Sequence, residues 1–453
     1  MKTENIGRGS GTASRTVPAK TVHVSLRGCA AGDGSEADPF GDVSKAAASN
    51  PGARILVHGG VWGGISLGPE ASGTADSPTV IRAADGERVL IRPDGGVGIR
   101  MRNVHHLVLE GFEVEGGTHG IRYESTREAG DIPLGGITIR ACRVHGIRGV
   151  HGSCVYARND LAPVTDLTVE GCEVYDCECG SSESLVLNGN IDGFRIVSNV
   201  IHDNNNIGID MIGFEGTARH PGNTDGRNPY EVDFVRHGVC RNNLVWGIST
   251  EGNMAYYDDG HFDACADGIY VDGGQDIEIA ENFVFDCDIG IEVATEHSPD
   301  DNALFRVSGV RVHDNVIADC RGFAGLCFGG YARDLGYTEG CEFDHNTLSN
   351  NDTQIAVQRS RDNRVRANLI LGGDCGVAFN ESCRAEDLVN QIASNAAAGI
   401  RDGESWRAEY GLLHGDPHKI ADGFRSLLPD VGSRRIPGPA WTAIYHERMK
   451  RNT

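Results

Sequence analysis

The chain has 453 residues, 62 of them glycine and 15 proline, only 6% aromatic, and a formal net charge of −23 at pH 7. That acidity argues against a nucleic-acid binder, whose affinity rests on basic surface, and no run approaches the ~18 apolar residues of a membrane-spanning helix. Glycine at this level without a G-X-Y period signals many turns, not collagen.

In chain order, residues 1–20 (MKTENIGRGSGTASRTVPAK) read as a disordered lead-in. They lack the apolar core of a secretory leader, so the expected location is cytoplasmic; a secreted chain whose leader had been removed would look the same. Residues 21–66 read as a cap: an extended segment, a polar loop, a short helix in DPFGDVSKAAA and the strand RILVHGGVW. An uncapped first coil would expose a sheet edge, which gives the cap a physical purpose. The 14 cysteines are scattered, apart from Cys177 and Cys179. In a chain without a leader they read as reduced, buried, small hydrophobes rather than zinc ligands.

Residues 67–400 read as the β-helix, and from about residue 80 to 390 a two-part phrase recurs. One part is hydrophobic-x-x-Asn-x-hydrophobic, as in IVSNVI (196–201), IAENFV (279–284), VHDNVI (312–317), FDHNTL (343–348) and VRANLI (365–370). The other is Gly-apolar-x-apolar-x, as in GIRMR (98–102), GIRYE (120–124), GIDMI (208–212), GIYVD (268–272) and GIEVA (290–294). Both alternate with period two, the mark of strands with one buried face. Recurrence at intervals of roughly 22–33 residues predicts an all-β right-handed parallel β-helix of about ten or more coils, with a short N-terminal capping helix. The recurring Asn is expected to occupy a turn, tolerating the left-handed conformation and bonding to the Asn of the next coil. Residues 401–453 change character and read as a capping tail.

Stacking the Gly-apolar-x-apolar-x strands turns the sequence into a surface map. The third positions carry Arg100, Arg122, Tyr156, Val186, Asp210, Tyr270, Glu292, Cys327, Ala356 and Ala378, and are expected to point outward. The fifth positions include Arg102, Glu124, Arg158, Asn188 and Asp272. Asp210, Tyr270, Asp272 and Glu292 thus fall on three successive coils, with Glu296 and His297 just beyond, and the arginines lie toward the N-terminal coils. The longest insertions, 214–236 and 247–266, fall between the coils of Asp210 and Asp272; long loops in a compact repeat are usually functional walls. Singly, each acid is an ordinary residue on a solvated sheet, but three in adjacent coils beside two long loops point to a site. Asp210 and Glu292, two coils apart, should have strand positions roughly 9–10 Å apart. Side-chain reach brings that into the ~6.5–9.5 Å window of an inverting glycosidase.

The phrases HDNNNIGIDMIG (202–213), ADGIYVDGG (266–274) and DIGIEVATEH (288–297) resemble the pectate-lyase-like superfamily of right-handed β-helix proteins. The resemblance spans roughly residues 22–400 and implies polysaccharide or oligosaccharide substrates, without fixing the reaction. The lysines are Lys2, Lys20, Lys45, Lys419 and Lys450, so no coil offers the lysine base common among calcium-dependent lyases of this fold. Of the runs of a polygalacturonase, Gly-His-Gly is not found, and Asn-Thr-Asp (223–225) and Asp-Asp (258–259 and 300–301) occur only outside the repeated strand phrases.

The first expectation is therefore a glycoside hydrolase, or glycosyl-transferring relative, needing no cofactor. Asp210, Asp272 and Glu292 would be catalytic, with Glu292 as acid, Asp210 as base and Asp272 holding sugar or water. Tyr270, Asn188, Glu183, Arg158, Arg122, Arg100, Glu296 and His297 would contact substrate. The alternative is a lyase or epimerase in which Asp210, Asp272, Glu292 and Glu296 bind Ca²⁺, with Tyr270, His297 or an arginine as base. A third reading is a non-catalytic glycan-binding β-helix. Homo-oligomerisation through a flank stays open, with no sequence signal for it.

Overall fold

The computed structural model describes residues 20–126, 134–222, 226–380, 390–398, 413–414, 432–435 and 437–451. Each coil contains three short parallel strands, so the stack is a three-sided prism. One complete coil shows the pattern: Asp267–Asp272 on the front, Gln275–Ala280 on the second side and Phe283–Cys287 on the third. The next coil begins at Ile289. Each strand pairs in parallel with its equivalents before and after it, as Asp210, Tyr270 and Glu292 do on the front. The second and third sides repeat this pairing. Valine, isoleucine and leucine from all three sides fill the interior, which runs as one apolar column through the described coils.

Glycine opens the front-strand phrase because the interior is narrow there. A β-carbon on Gly268 would come within 2.5 Å of a Val284 methyl on the third side, and one on Gly290 within 2.4 Å of Ile317. Only a hydrogen fits at that corner.

The Asn ladder forms as expected, with one correction. Asn199, Asn243, Asn282, Asn315, Asn346, Asn368 and Asn395 are buried. From Asn243 onward, each side-chain oxygen accepts both the backbone and the side-chain N–H of the Asn one coil earlier, at 2.9–3.1 Å, while that of Asn199 accepts the Cys172 N–H. The left-handed conformation belongs to the preceding residue instead: Ser198, Asn242, Glu281, Asp314, His345 and Ala367 have φ of 54–58°. The turn is made one residue early, which leaves the Asn amide free to point inward and satisfy the buried corner.

At the N-terminal end, Thr21–Cys29 pairs with Arg54–Val57. The helix Val43–Ser49 buries Val43, Ala46 and Ala47, with Asp42 accepting the Lys45 N–H as its N-cap. The lead-in before residue 20 lies outside the described residues. In the tail, the helix Pro439–Arg451 lies along the third side rather than across an end. Its Trp441, Ile444, Tyr445 and Met449 cover Leu244, Trp246, Phe283, Phe285 and Val316. Tyr445 donates to Asp319 at 2.6 Å, and Arg448 bridges Asp203 and Asp286. Most of the expected capping tail lies outside the described residues.

Candidate active site

The front strands stack in the expected register. Arg100, Arg122, Tyr156, Val186, Asp210, Tyr270, Glu292, Cys327, Ala356 and Ala378 form one continuous column. Beside it run Arg102, Glu124, Arg158, Asn188 and Ile212. The expectation of a solvated sheet is corrected over the central coils: Asp210 is 2% exposed, Asn188 3%, and Tyr270 and Asp272 8% each.

Burial there coincides with two insertions that are tied down to the prism. Buried Asp233 accepts the N–H groups of Gly216 and Ala218, closing the base of the first loop. Asn228 of that loop and Asn302 exchange side-chain hydrogen bonds. Asp288 accepts from the Thr250 N–H, the Thr250 hydroxyl and the Ala266 N–H, fixing both ends of the second loop. Asn253 of this loop donates to the carbonyls of Gly180 and Asn205, and Asn206 donates to the Tyr256 hydroxyl.

A third column was not legible from alternation. Because Gly268 faces inward and Ile269 is also buried, the period-two pattern slips at the start of each front strand. The residue before the glycine therefore turns outward again. Asp267 occupies this place, paired with Ile289 of the next coil, and the Gly208 N–H donates to its carbonyl. Glu183 holds the equivalent place two coils earlier, where the Ser184 N–H donates to the Ile207 carbonyl.

The result is a dense set of acids. Burial, then the charge of Glu292, pushes the Asp267 carboxyl well above the ordinary range. Burial pushes Glu292 up to about 7, although hydrogen bonds from Asp267 and Cys327 hold it down. The two carboxyls lie close enough for each to shift the other, and a bond between them requires one to be protonated. The Asp267 Oδ1 has no hydrogen-bond partner. Asp210 is raised well above its ordinary value by burial and by Glu183, Asp272 and Glu215. Asp272 is raised by burial, Glu296 and Glu215, opposed by the Glu296 N–H that it accepts. Glu183 reaches about 7 through burial and Glu215. Asp210, Asp272 and Asn188 each keep a buried oxygen with no protein donor. Such atoms call for a hydrogen-bonding occupant.

The remaining expected residues divide. Asn188 donates to Glu215 at 2.7 Å, and Tyr270 is buried among the acids, which raise its hydroxyl pKa further. Glu296 is exposed at the rim. His297 is half-buried against Phe214 and Phe305, with ring centroids 6.4 and 5.0 Å away, so it acts as packing for the loop base. Arg100, Arg122 and Arg158 lie apart from the acids, on earlier coils of the front. There Arg122 pairs with Glu124 at 3.0 Å and lies over the Tyr156 ring.

Sequence reasoning missed Asp267, Glu215 and the Cys327–Gln358 pair. The Cys327 thiol donates to Glu292 at 3.7 Å and accepts from Gln358 at 3.2 Å. Asp267 had a signal in the glycine that follows it; Glu215, on an insertion, had none.

The fold is that of right-handed parallel β-helix proteins, as the resemblance to the pectate-lyase-like superfamily implied. The chain belongs to the family of the uncharacterized protein YwoF of Bacillus subtilis (strain 168). The two are 32% identical over 379 residues, spanning 78% of this chain and 75% of that protein. Residues 223–409 match the family described as periplasmic copper-binding protein (NosD). That match corrects the expected cytoplasmic location, pointing instead to the periplasm or the cell exterior. Among solved structures, a GH136 lacto-N-biosidase from Eubacterium ramulus is similar, with TM-score 0.56, 14% identity, and 84% of this chain and 67% of that one covered. The A-module of the mannuronan C-5 epimerase AlgE6 of Azotobacter vinelandii has TM-score 0.52, 13% identity, and 83% and 93% covered. These likenesses concern the fold.

Proposed function

We propose that the protein is a carbohydrate-active enzyme that cleaves a glycosidic bond at the acidic coils of its front. The carrying observation is the crowding of Asp267 and Glu292, both held above the ordinary carboxylate range, on the same front as Asp210 and Asp272 with their unpartnered buried oxygens. A carboxyl that keeps its proton near neutral pH is what a general acid needs. Glu292 protonates the leaving oxygen, and Asp267 holds that proton in place beforehand. Asp210, two rungs away on the same column, takes a proton from the attacking water once sugar hydroxyls donating to its carboxylate offset the burial that raises it. The rung spacing of roughly 9–10 Å accommodates the ~6.5–9.5 Å carboxyl separation of inversion. Asp272 and Asn188 offer their bare oxygens to sugar hydroxyls.

The calcium-dependent lyase reading draws less support. The oxygen donors suit Ca²⁺, but among the described residues no three or more His, Cys, Asp or Glu groups have the spacing to hold a metal ion. Two of the acids also bond to each other rather than converge on a common point. Copper fits this cluster poorly as well, since it favours imidazole and sulfur and the thiol bonded to these acids is Cys327.

Product analysis tests the reading, using a panel of neutral and uronate-containing glycans with calcium and with chelator. Ultraviolet absorbance and reducing ends are followed together. New reducing ends without absorbance, indifferent to chelator and lost in Glu292→Gln, are the expected outcome. Absorbing, calcium-dependent products, or full activity in Glu292→Gln, would sink it.

A further inference from the structure

Arg100 and Arg122 stand on the same column as Asp210 and Glu292, with Tyr156 and Val186 on the rungs between. Arg122 and Asp210 are three rungs apart, about 14 Å at the usual strand spacing. That distance is the span of a short oligosaccharide, not of one ring. Arg158 lies on the Tyr156 rung in the neighbouring column, and its guanidinium reaches the Tyr156 hydroxyl. The two ends carry opposite fields along one face. His119, among these arginines, is lowered to about 4 by burial and by the charges of Arg122 and Arg100. At the other end the acids raise one another.

We infer that the front is a two-sign face that selects a glycan carrying an anionic group about three rungs from the bond to be cleaved. Arg100, Arg122 and Arg158 would receive the anion, Tyr156 and Val186 would support the intervening ring, and the acidic coils would take a neutral ring.

This deepens, and rests on, the glycosidase reading. An anionic ring at the acidic coils would add charge where burial and mutual repulsion already hold the carboxyls above their ordinary range, which disfavours it. The arginine forks, in contrast, match the planar, multi-oxygen geometry of a carboxylate, sulfate or phosphate. The half-buried Tyr156 ring, with Arg122 5.4 Å from its centroid, provides an apolar face between the two ends. A substrate of uniform negative charge would suit only one end of this face, and a wholly neutral one would make no use of the positive charge at the other.

The test is calorimetric binding to the whole chain. The probes are cellotetraose, chitotetraose and mannotetraose, each as the neutral parent, with one terminal 6-carboxylate, and with one terminal 6-sulfate. The last two arms distinguish carboxylate from sulfate as the anion. At least one singly anionic probe should bind on the order of tenfold more tightly than its parent, the scale of a hydrogen bond to a charged group. The preference should shrink with added salt and vanish in Arg122→Gln and in Arg158→Gln. Glu292→Gln should keep it, and circular dichroism confirms that each variant is folded. Equal affinities across each set, a preference that survives both arginine variants, or no binding to any probe overturns the inference. Cleavage of a neutral parent with no anion preference would remove this inference and leave the hydrolase reading. An arginine-dependent preference without any cleavage would do the reverse.

Discussion

Asp267 and Glu292 lie on neighbouring coils and each shifts the other's carboxyl, although one opens its strand and the other is in mid-strand. Glu292 also receives the Cys327 thiol from the following coil, so its carboxyl is held from both sides. A side chain fixed in this way is pre-organised for proton transfer.

Replacing Asp267 by Asn should move the pH–rate profile. The amide would donate to the Glu292 carboxylate and stabilise its charged form, lowering its pKa from about 7. If Glu292 is the acid, the limb on which activity falls with rising pH should shift downward by about one unit. Activity at neutral pH should then drop about tenfold or more. An unchanged basic limb in Asp267→Asn would show that the proton Asp267 holds on Glu292 is not the catalytic one.

The acids also make stability depend on pH in a defined direction. Glu183 and Glu292 have folded values near 7, above their ordinary 4.5, so the folded chain binds more protons than the unfolded one. Their contribution is full below about 4.5 and is lost as the pH rises through 7. Glu113, held at about 2 by Arg88 and His145, contributes the other way: its stabilisation is present above 4.5 and lost as the pH falls to 2. Melting temperature should therefore peak on the acid side of neutrality, and Glu183→Gln should flatten its decline between pH 4.5 and 7. A decline as steep as that of the parent chain would contradict this account.

The corner ladder makes a prediction about two adjacent residues. Asn282→Ala leaves the buried backbone N–H of Asn243 without its acceptor and takes one acceptor from its side-chain amide, which keeps the Ile196 carbonyl. It should cost about 2–4 kcal/mol in chemical denaturation. Asn242, whose φ is 56°, should instead accept Gly with little loss or a small gain, while Asn242→Val should cost roughly 1–2 kcal/mol. Equal costs at positions 242 and 282 would mean that the division between turn residue and ladder residue is wrong.

Asp288 anchors the second loop through three donated hydrogen bonds. Asp288→Ala should free residues 250–266, which limited proteolysis would detect as new cleavage there. If this loop walls the site, kcat/KM should fall by about ten- to a hundredfold, since loosened positioning weakens transition-state contacts. New cleavage with no kinetic change would detach the loop from catalysis.

The helix Pro439–Arg451 covers a flank whose aromatic side chains are otherwise unprotected. Truncation after residue 435 should expose Trp246, Phe283 and Phe285 together. The expected readouts are binding of a hydrophobic dye and concentration-dependent association, because an apolar patch of that size promotes self-contact. A truncated chain that stays monomeric and binds no dye would show that the helix is dispensable cover.

The sequence by itself determined the stack and the register of its front column. A period of two within strands and a recurring phrase between coils leave one solution, in which in-register strands bring Asp210, Tyr270 and Glu292 into line. It also determined the Asn ladder, since a buried amide repeated at each corner is satisfied by its own copies. The tertiary structure decided the rest. Alternation assumes a regular strand, and it fails at the corner where Gly268 meets Val284; the slip that turns Asp267 and Glu183 outward is set by the width of the interior, which no single strand encodes. Nor can local pattern show where an insertion comes to rest. Residues that read as solvated on the open sheet are buried in the folded chain beside two insertions anchored by Asp233 and Asp288. Removed from water and crowded together, ordinary surface carboxylates become a cluster that holds its protons near neutral pH.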